Sequence, residues 1–391
     1  MKHLQGLAAA LTLILAPTLA VAEVTFRVTV PADTDPGATV FIAGDFQSWH
    51  PGHPDYKLTQ TGRNLWEIVL PLNNSQAIQF KFTLGDWEHV EKGSGGEEIQ
   101  NRLHKVAGTE TLELEVANWA HGEARQPSKT GNITLITVPD FLDGRPVWVY
   151  LPPGYDQETE RRYPVLYMFD GQNVFDAATG FAGEWKVDET LEDLIPAGQV
   201  EPLIVVAVAN GSDKRTKEYT PWYSSSRETG GGGGKHLKTW IKVLLPYINE
   251  QYRTRTGPEY TGLAGSSFGG LMALYGAYTH PDVFGKFGAF STTFMYAGGR
   301  LPDMVAKKEK PDVTIYLDMG TREMGNFQDK NGNGIDDGID SLRRVQEILT
   351  SQGFVMGWDL MVVEGEGHRH NESYWMQRFP QAIQFLFPGG S

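Results

Sequence analysis

Cysteine is absent from all 391 residues. The chain therefore forms no disulfide, and its stability has to come from large cores or bound metal. Cations are also in the minority. Lys and Arg number 34 against 48 Asp and Glu, a formal charge of −14, which argues against nucleic acid or anionic lipid as a partner. Beyond the first 19 residues no apolar run is long enough to cross a bilayer. What does precede is short: Met1-Lys-His-Leu, an apolar stretch to Leu19, then Ala20-Val-Ala22 before Glu23. A cationic start, a brief apolar core and an A-x-A end are expected of a secretory signal peptide over residues 1–22. The mature chain then starts at Glu23 in a periplasm or outside the cell, with no membrane association once the signal is removed.

The remainder is too long for one typical core, so two domains are expected. From Val24 to about Val116, short alternating segments such as Trp66-Glu-Ile-Val-Leu and Ile78-Gln-Phe-Lys-Phe-Thr are separated by Gly, Pro, Asn and Asp. That pattern predicts a small all-β, immunoglobulin-like sandwich over 23–117. A polar, breaker-rich stretch at 118–131 is expected to be the linker. After Asn132, apolar β-branched runs (Val165-Leu-Tyr-Met-Phe, Leu203-Ile-Val-Val-Ala-Val, Val313-Thr-Ile-Tyr-Leu) alternate with amphipathic helical ones at Lys235–Gln251 and Asp340–Ser351. Residues 132–391 are therefore expected to form an α/β domain whose mostly parallel sheet is covered on both faces. The five glycines Gly230 to Gly234 lack the Lys-[Ser/Thr] ending of a phosphate-binding loop and are read as a mobile loop.

The chemistry is carried by Gly265-Ser-Ser-Phe-Gly269. It follows an apolar strand-like stretch and leads into a helix-like one, the context in which G-x-S-x-G forms a nucleophile elbow with Ser267 at its apex. A serine hydroxyl needs a base within reach, oriented in turn by a carboxylate. In α/β-hydrolases the order along the chain is Ser, acid, His. Two histidines, His368 and His370, follow the last strand; Asp318 and Glu323 lie between serine and histidine at the end of another. The backbone N–H of Phe268 is one expected oxyanion donor, and those of Gly171 and Gln172 supply the second.

From about Arg145 to Phe387 the chain resembles the esterase family of α/β-hydrolases. That group includes enterochelin-esterase-like enzymes, feruloyl and acetyl esterases and S-formylglutathione hydrolases. The resemblance rests on Val149-Tyr-Leu-Pro-Pro-Gly-Tyr155, Tyr167-Met-Phe-Asp-Gly-Gln-Asn-Val-Phe175, Gly183-Glu-Trp185, Glu218-Tyr-Thr-Pro221, Gly265-Ser-Ser-Phe-Gly-Gly270 and His370-Asn-Glu372 with Trp375. It implies that His370 is the base and Glu323 the acid, with glutamate standing where many relatives carry aspartate. Trp185, Tyr219 and Trp222 are expected to line the acyl pocket.

Just beyond the acid, Asp329-Lys-Asn-Gly-Asn-Gly-Ile-Asp-Asp-Gly-Ile-Asp340 follows the twelve-residue EF-hand pattern. Asp329, Asn331, Asn333, Asp337 and Asp340 supply oxygens, Ile335 a carbonyl, and Gly334 the sharp turn. Calcium is the expected structural ion, stiffening the segment that holds Glu323. No organic cofactor is expected.

The first region resembles a starch-binding-type, family-twenty carbohydrate-binding module through Gly44-Asp-Phe-Gln-Ser-Trp49, Leu65-Trp66, Ile78-Gln-Phe-Lys-Phe82 and Asn101-Arg102. The resemblance implies that Trp49 and Lys81 contact sugar. The second tryptophan of such modules stands just before the Asn-Arg pair, whereas here Trp87 lies well upstream. Taken together these readings describe a secreted serine carboxylic-ester hydrolase whose substrate is an acetylated or feruloylated carbohydrate. A siderophore-type lactone is the rival substrate, and a catalytically silent glycan-binding protein is the rival of another class.

Overall fold

The computed structural model describes residues 21–390 apart from 36, 48, 95–98, 121–126, 181–182, 226 and 324–327. The expected signal segment lies outside the described residues except for Val21 and Ala22, which open the first strand, Val21–Thr29. Contacts divide the chain into two compact units. One holds residues up to Asp45 with Pro51–Asp86 and Val90–Trp119; the other holds Phe46–His50, Trp87–His89 and the remainder from Ala120.

The first unit is the expected sandwich. Thr59–Gln60, Leu65–Asn73, Val21–Thr29 and Glu110–Glu115 form one sheet in that order, and Phe41–Gly44, Ala77–Thr83 and Arg102–Lys105 form another. Alternation does the work here. Ala22, Val24, Phe26 and Val28 point inward along one strand, and Phe26 meets Phe80 of the other sheet edge-on at 5.1 Å. Trp66 is buried in this core.

The second unit is built on an eight-stranded sheet. Its order is Asn132–Thr137, Pro146–Leu151, Ile204–Val208, Val165–Met168, Thr261–Ser266, Lys286–Phe290, Thr314–Gly320 and Leu360–Gly365. The first two strands join antiparallel and the remaining six run parallel. One core includes helical residues Leu237, Trp240, Leu271, Leu342 and Val345. A second, on the other face, includes Leu191, Trp375, Phe379 and Ile383. Strands covered on both faces must be apolar throughout, which is why Ile204–Val208 is buried at every position.

Several boundaries differ from expectation for local reasons. The helix expected from Asp340 begins at Asp337, because Asp336 caps it by accepting the Gly338 N–H at 2.9 Å. The Lys235–Gln251 stripe is helical from Gly233, but Trp240–Leu244 is a π-turn. Pro246 follows and has no N–H to continue an ordinary ladder, so a widened turn at this point fits its chemistry. The run Gly230 to Gly234 is not a loose loop. A side chain on Gly233 would strike Met272 Sδ at 2.7 Å and Thr220 C at 2.8 Å, so close packing accounts for glycine there. At the two ends of the expected linker, 118–131, Asn118–Trp119 pairs with Glu91–Lys92, while Ser128 and Thr130 bond to Asp176, Glu184 and Asp188.

Candidate active site

Parallel strands place all their C-terminal ends on one edge, and the loops leaving that edge hold the chemistry. Ser267 sits where Thr261–Ser266 ends and the helix Phe268–Thr279 begins, with φ 58° and ψ −116°. This is a left-handed conformation that a side chain resists. The neighbouring glycines allow it. A Cβ on Gly265 would lie 3.0 Å from the Gly269 backbone and from Phe169 Cβ, so strand and helix could not approach as closely. The Ser267 hydroxyl is 3.2 Å from Thr293 Oγ1, and it is this bond rather than one to His370 that the described residues form.

The loops after the two last strands interlock. Thr321 N donates to Gly365 O, Arg322 N to His368 O, and His370 N to Glu323 O. This brings Glu323 Oε2 to 2.6 Å from His370 Nδ1. The proton positions follow from the partners. Ser291 Oγ accepts from Trp375 Nε1 at 2.8 Å and from Arg378 Nη2 at 2.9 Å, two groups that only donate. Its own proton must therefore go to Glu323 Oε1, 2.7 Å away, which also accepts from Gly320 N. Glu323 is thus an acceptor on both oxygens, His370 carries its proton on Nδ1, and Nε2 is left free to accept one. Burial pushes the Glu323 carboxyl up, but His370, Ser291 and the Gly320 N–H outweigh it and hold it below the ordinary carboxylate range.

Asp318 and His368 are both drawn elsewhere, by one buried cation. Asp318 is 0% exposed and faces Arg378, whose Nη2 donates to Oδ1 at 3.1 Å. Arg378 Nε lies 2.9 Å from Oδ2, close enough for ion pairing though without a hydrogen bond of its own. Ser291 N and Tyr316 OH also donate to Asp318. His368 Nδ1 meets Arg378 Nη1 at 2.9 Å. Burial, with the Arg378 charge adding to it, lowers the His368 pKa.

The turn Gly171–Asn173 leaves the strand Val165–Met168, and the N–H groups of Gly171, Gln172 and Phe268 take no partner among the described residues. Asp170 anchors the turn from before, bonded by Arg215 Nε at 2.6 Å, Arg215 Nη2 at 2.7 Å and Asn210 Nδ2 at 2.7 Å. Behind the turn, Asn173 Nδ2 donates to the buried Glu372 at 2.8 Å. Burial pushes Glu372 up to about 7.

Two expected pocket residues are core instead. Trp185 is 3% exposed and packs on Phe290 and Trp375 at 4.8 and 5.6 Å. Tyr219 is 0% exposed, with its hydroxyl accepting the Asp170 N–H at 3.2 Å. Trp222 is half-buried and packs edge-on against Tyr275. The residues that reading the sequence missed are Thr293, Ser291, Arg378 and Arg215. Only Ser291 and Thr293 carry a signal, as hydroxyls just after a parallel strand.

In the loop after Glu323, Asp329 accepts from the N–H groups of Gly332, Asn333 and Gly334. Asn331 and Asn333 both reach Asp340, at 2.7 and 2.9 Å. Asp337 does not join them, because Lys330 takes it through its backbone N–H at 3.0 Å and its ammonium at 3.3 Å. Elsewhere, the Trp49 and Trp87 rings lie 6.2 Å apart, tilted by 38°. Lys81 Nζ donates to Ile99 O at 2.7 Å, so one of its donors is already used.

With that geometry in view, the chain can be compared with known proteins. A family model described as "Putative esterase" matches residues 142–386. Over 268 residues, 67% of this chain and 32% of the relative, it is 25% identical to an endo-1,4-beta-xylanase/feruloyl esterase of Xylanibacter ruminicola. The N-terminal region is similar to part of an alpha-amylase of Niallia circulans, 40% identical over 98 residues that make up 25% of this chain and 8% of that one. Among solved structures, the enterobactin esterase FES from Shigella flexneri superimposes with a TM-score of 0.51 at 15% identity, covering 93% of each chain. That last likeness is one of fold.

Proposed function

This chain belongs to the esterase family, and from that premise we propose that it is an exported serine hydrolase that cleaves acyl esters of carbohydrates. The observation that carries the mechanism is the Glu323–His370 pair, because it leaves Nε2 of His370 as the unprotonated nitrogen. Ser267 Oγ attacks the ester carbonyl as Nε2 takes its proton, once the hydroxyl has rotated away from Thr293. Such bonds commonly tighten only when substrate is bound. The negative oxygen of the tetrahedral intermediate is held by the N–H groups of Phe268 and of Gln172 or Gly171. His370 then gives its proton to the leaving alcohol. Water repeats the sequence on the acyl-enzyme and releases the acid.

The carbohydrate part rests on the amylase-like N-terminal segment, on the feruloyl esterase relative, and on the Trp49–Trp87 pair, whose rings offer a sugar-stacking face. The test is product release from feruloylated and acetylated arabinoxylan, beside a tris-catechol trilactone. Ferulate or acetate is the expected product. Cleavage of the trilactone with neither sugar ester touched would overturn the substrate assignment and leave the reaction class intact.

Asp329, Asn331, Asn333 and Asp340 would hold calcium, with the Ile335 carbonyl and without Asp337 unless Lys330 releases it. The ion would supply charge that gathers the loop following Glu323. Asp340→Ala is then expected to lower Tm by several degrees and to reduce the response of Tm and kcat to added calcium. If the variant matches the parent in both calcium responses, the loop is not a metal site.

A further inference from the structure

Three carboxylates stand apart from the machinery above. Glu184, Asp188 and Glu189 each bring one oxygen within 4.8 Å of the others. Glu184 is 6% exposed and Asp188 0%. Among the described residues, protein donors reach only one oxygen on each of these two. Ser128 Oγ donates to Glu184 Oε2 at 2.7 Å, and Thr130 donates to Asp188 Oδ2 through N–H at 2.6 Å and Oγ1 at 3.3 Å. Glu184 Oε1, Asp188 Oδ1 and Glu189 Oε2 are buried with no donor among the described residues.

Acidic residues in the first turn of a helix are ordinary, and Asp188 and Glu189 occupy the first turn of Val187–Leu194. That setting does not explain three gathered carboxylates with unpartnered buried oxygens, since buried acceptors of this kind are normally paired. Lys186 attracts Glu184 but is exposed and makes no ion pair among the described residues. No cation among the described residues pairs with the three, and burial, with the Glu189 carboxylate hydrogen-bonded beside it, pushes the Asp188 carboxyl up to about 8.

We propose that Glu184, Asp188 and Glu189 form a binding site for a hard divalent cation of the calcium class. The donors are all oxygen, with no histidine or thiolate, which selects calcium, magnesium or manganese over zinc or copper. The hydrogen bonds from Ser128 and Thr130 orient two of the ligands from outside, as supporting groups do around metal sites. The site has a use for the reaction. Trp185, between two of the ligands in sequence, donates its backbone N–H to Asn173 O at 2.9 Å, and Asn173 closes the turn that presents the Gly171 and Gln172 N–H groups. A cation at this point stiffens that turn from behind.

The experiment must separate this site from the Asp329–Asp340 loop, so it starts from a double variant, Asp329→Ala with Asp340→Ala. Chelator-stripped protein of this background is titrated calorimetrically with Ca2+, Mg2+ and Mn2+. Terbium luminescence sensitised through the adjacent Trp185 gives a second readout. One equivalent of cation is expected to remain, and terbium is expected to be displaced by Ca2+. Adding Asp188→Asn or Glu189→Gln is expected to weaken binding at least about tenfold. Glu189 is only partly buried, so its variant decides the matter if Asp188→Asn does not fold. Absence of binding by all three cations, or binding that Glu189→Gln leaves unchanged, overturns the proposal and leaves a shared proton as the way these groups are relieved.

Discussion

Replacing Ser267 by alanine is expected to reduce kcat on an activated acetyl ester by about 10⁴-fold or more, with circular dichroism unchanged. The expectation is large because every later step depends on the covalent acyl-serine. Without it the oxyanion donors can only assist direct attack by water. A second substitution separates catalysis from strain. Ser267 is held at φ 58° and ψ −116°, where a side chain costs of order 1–3 kcal/mol and glycine very little. Ser267→Gly should therefore be as inactive as Ser267→Ala yet more stable by about 1 kcal/mol. Unfolding midpoints of the two variants at matched m-values test this. If alanine and glycine prove equally stable, the elbow stores no strain. If Ser267→Ala keeps its rate, the nucleophile lies elsewhere.

What the sequence made legible was mostly local. The elbow could be read because a strained turn between strand and helix needs small residues at fixed positions, and Gly265 and Gly269 are those residues. The parallel sheet could be read because burial on two faces forces strands such as Ile204–Val208 to be apolar throughout. The histidine and acid came from chain order and family resemblance, narrowed to two choices each. What separates the candidates in the structure is a cation far away in sequence. Arg378, one face of the last helix, binds Asp318 across 60 residues and also occupies His368. Nothing about Arg378 marks it in advance, since its neighbours along the chain are ordinary helical residues. Trp185 and Tyr219 illustrate the same limit. An aromatic near a catalytic motif fits core and pocket equally well until its burial is known. Trp87 errs in the opposite direction: its spacing departs from the carbohydrate-binding pattern, yet folding carries it to Trp49.

That division between Glu323 and Asp318 carries the other large expected effect. Asp318→Asn should destabilise the protein by about 3–5 kcal/mol, because it leaves Arg378 buried without a countercharge. Both partners are nearly inaccessible, at 0% and 3% exposure, so solvent cannot compensate. The loss should appear as a lower midpoint in urea, with kcat of the remaining folded enzyme changed little. Glu323→Gln should behave in the reverse way. Its kcat should fall by about 10³- to 10⁴-fold, since an amide can donate to His370 and present the wrong tautomer. The two also differ with pH. The Glu323 pKa is lower folded than unfolded, so its linkage contribution to stability is present above the ordinary carboxylate range. It disappears as pH falls through the lowered value. The parent should therefore lose more stability on acidification than Glu323→Gln does. Should Asp318→Asn instead abolish turnover at full stability, the acid assignment would have to move to Asp318, and the Arg378 pairing would need a catalytic explanation.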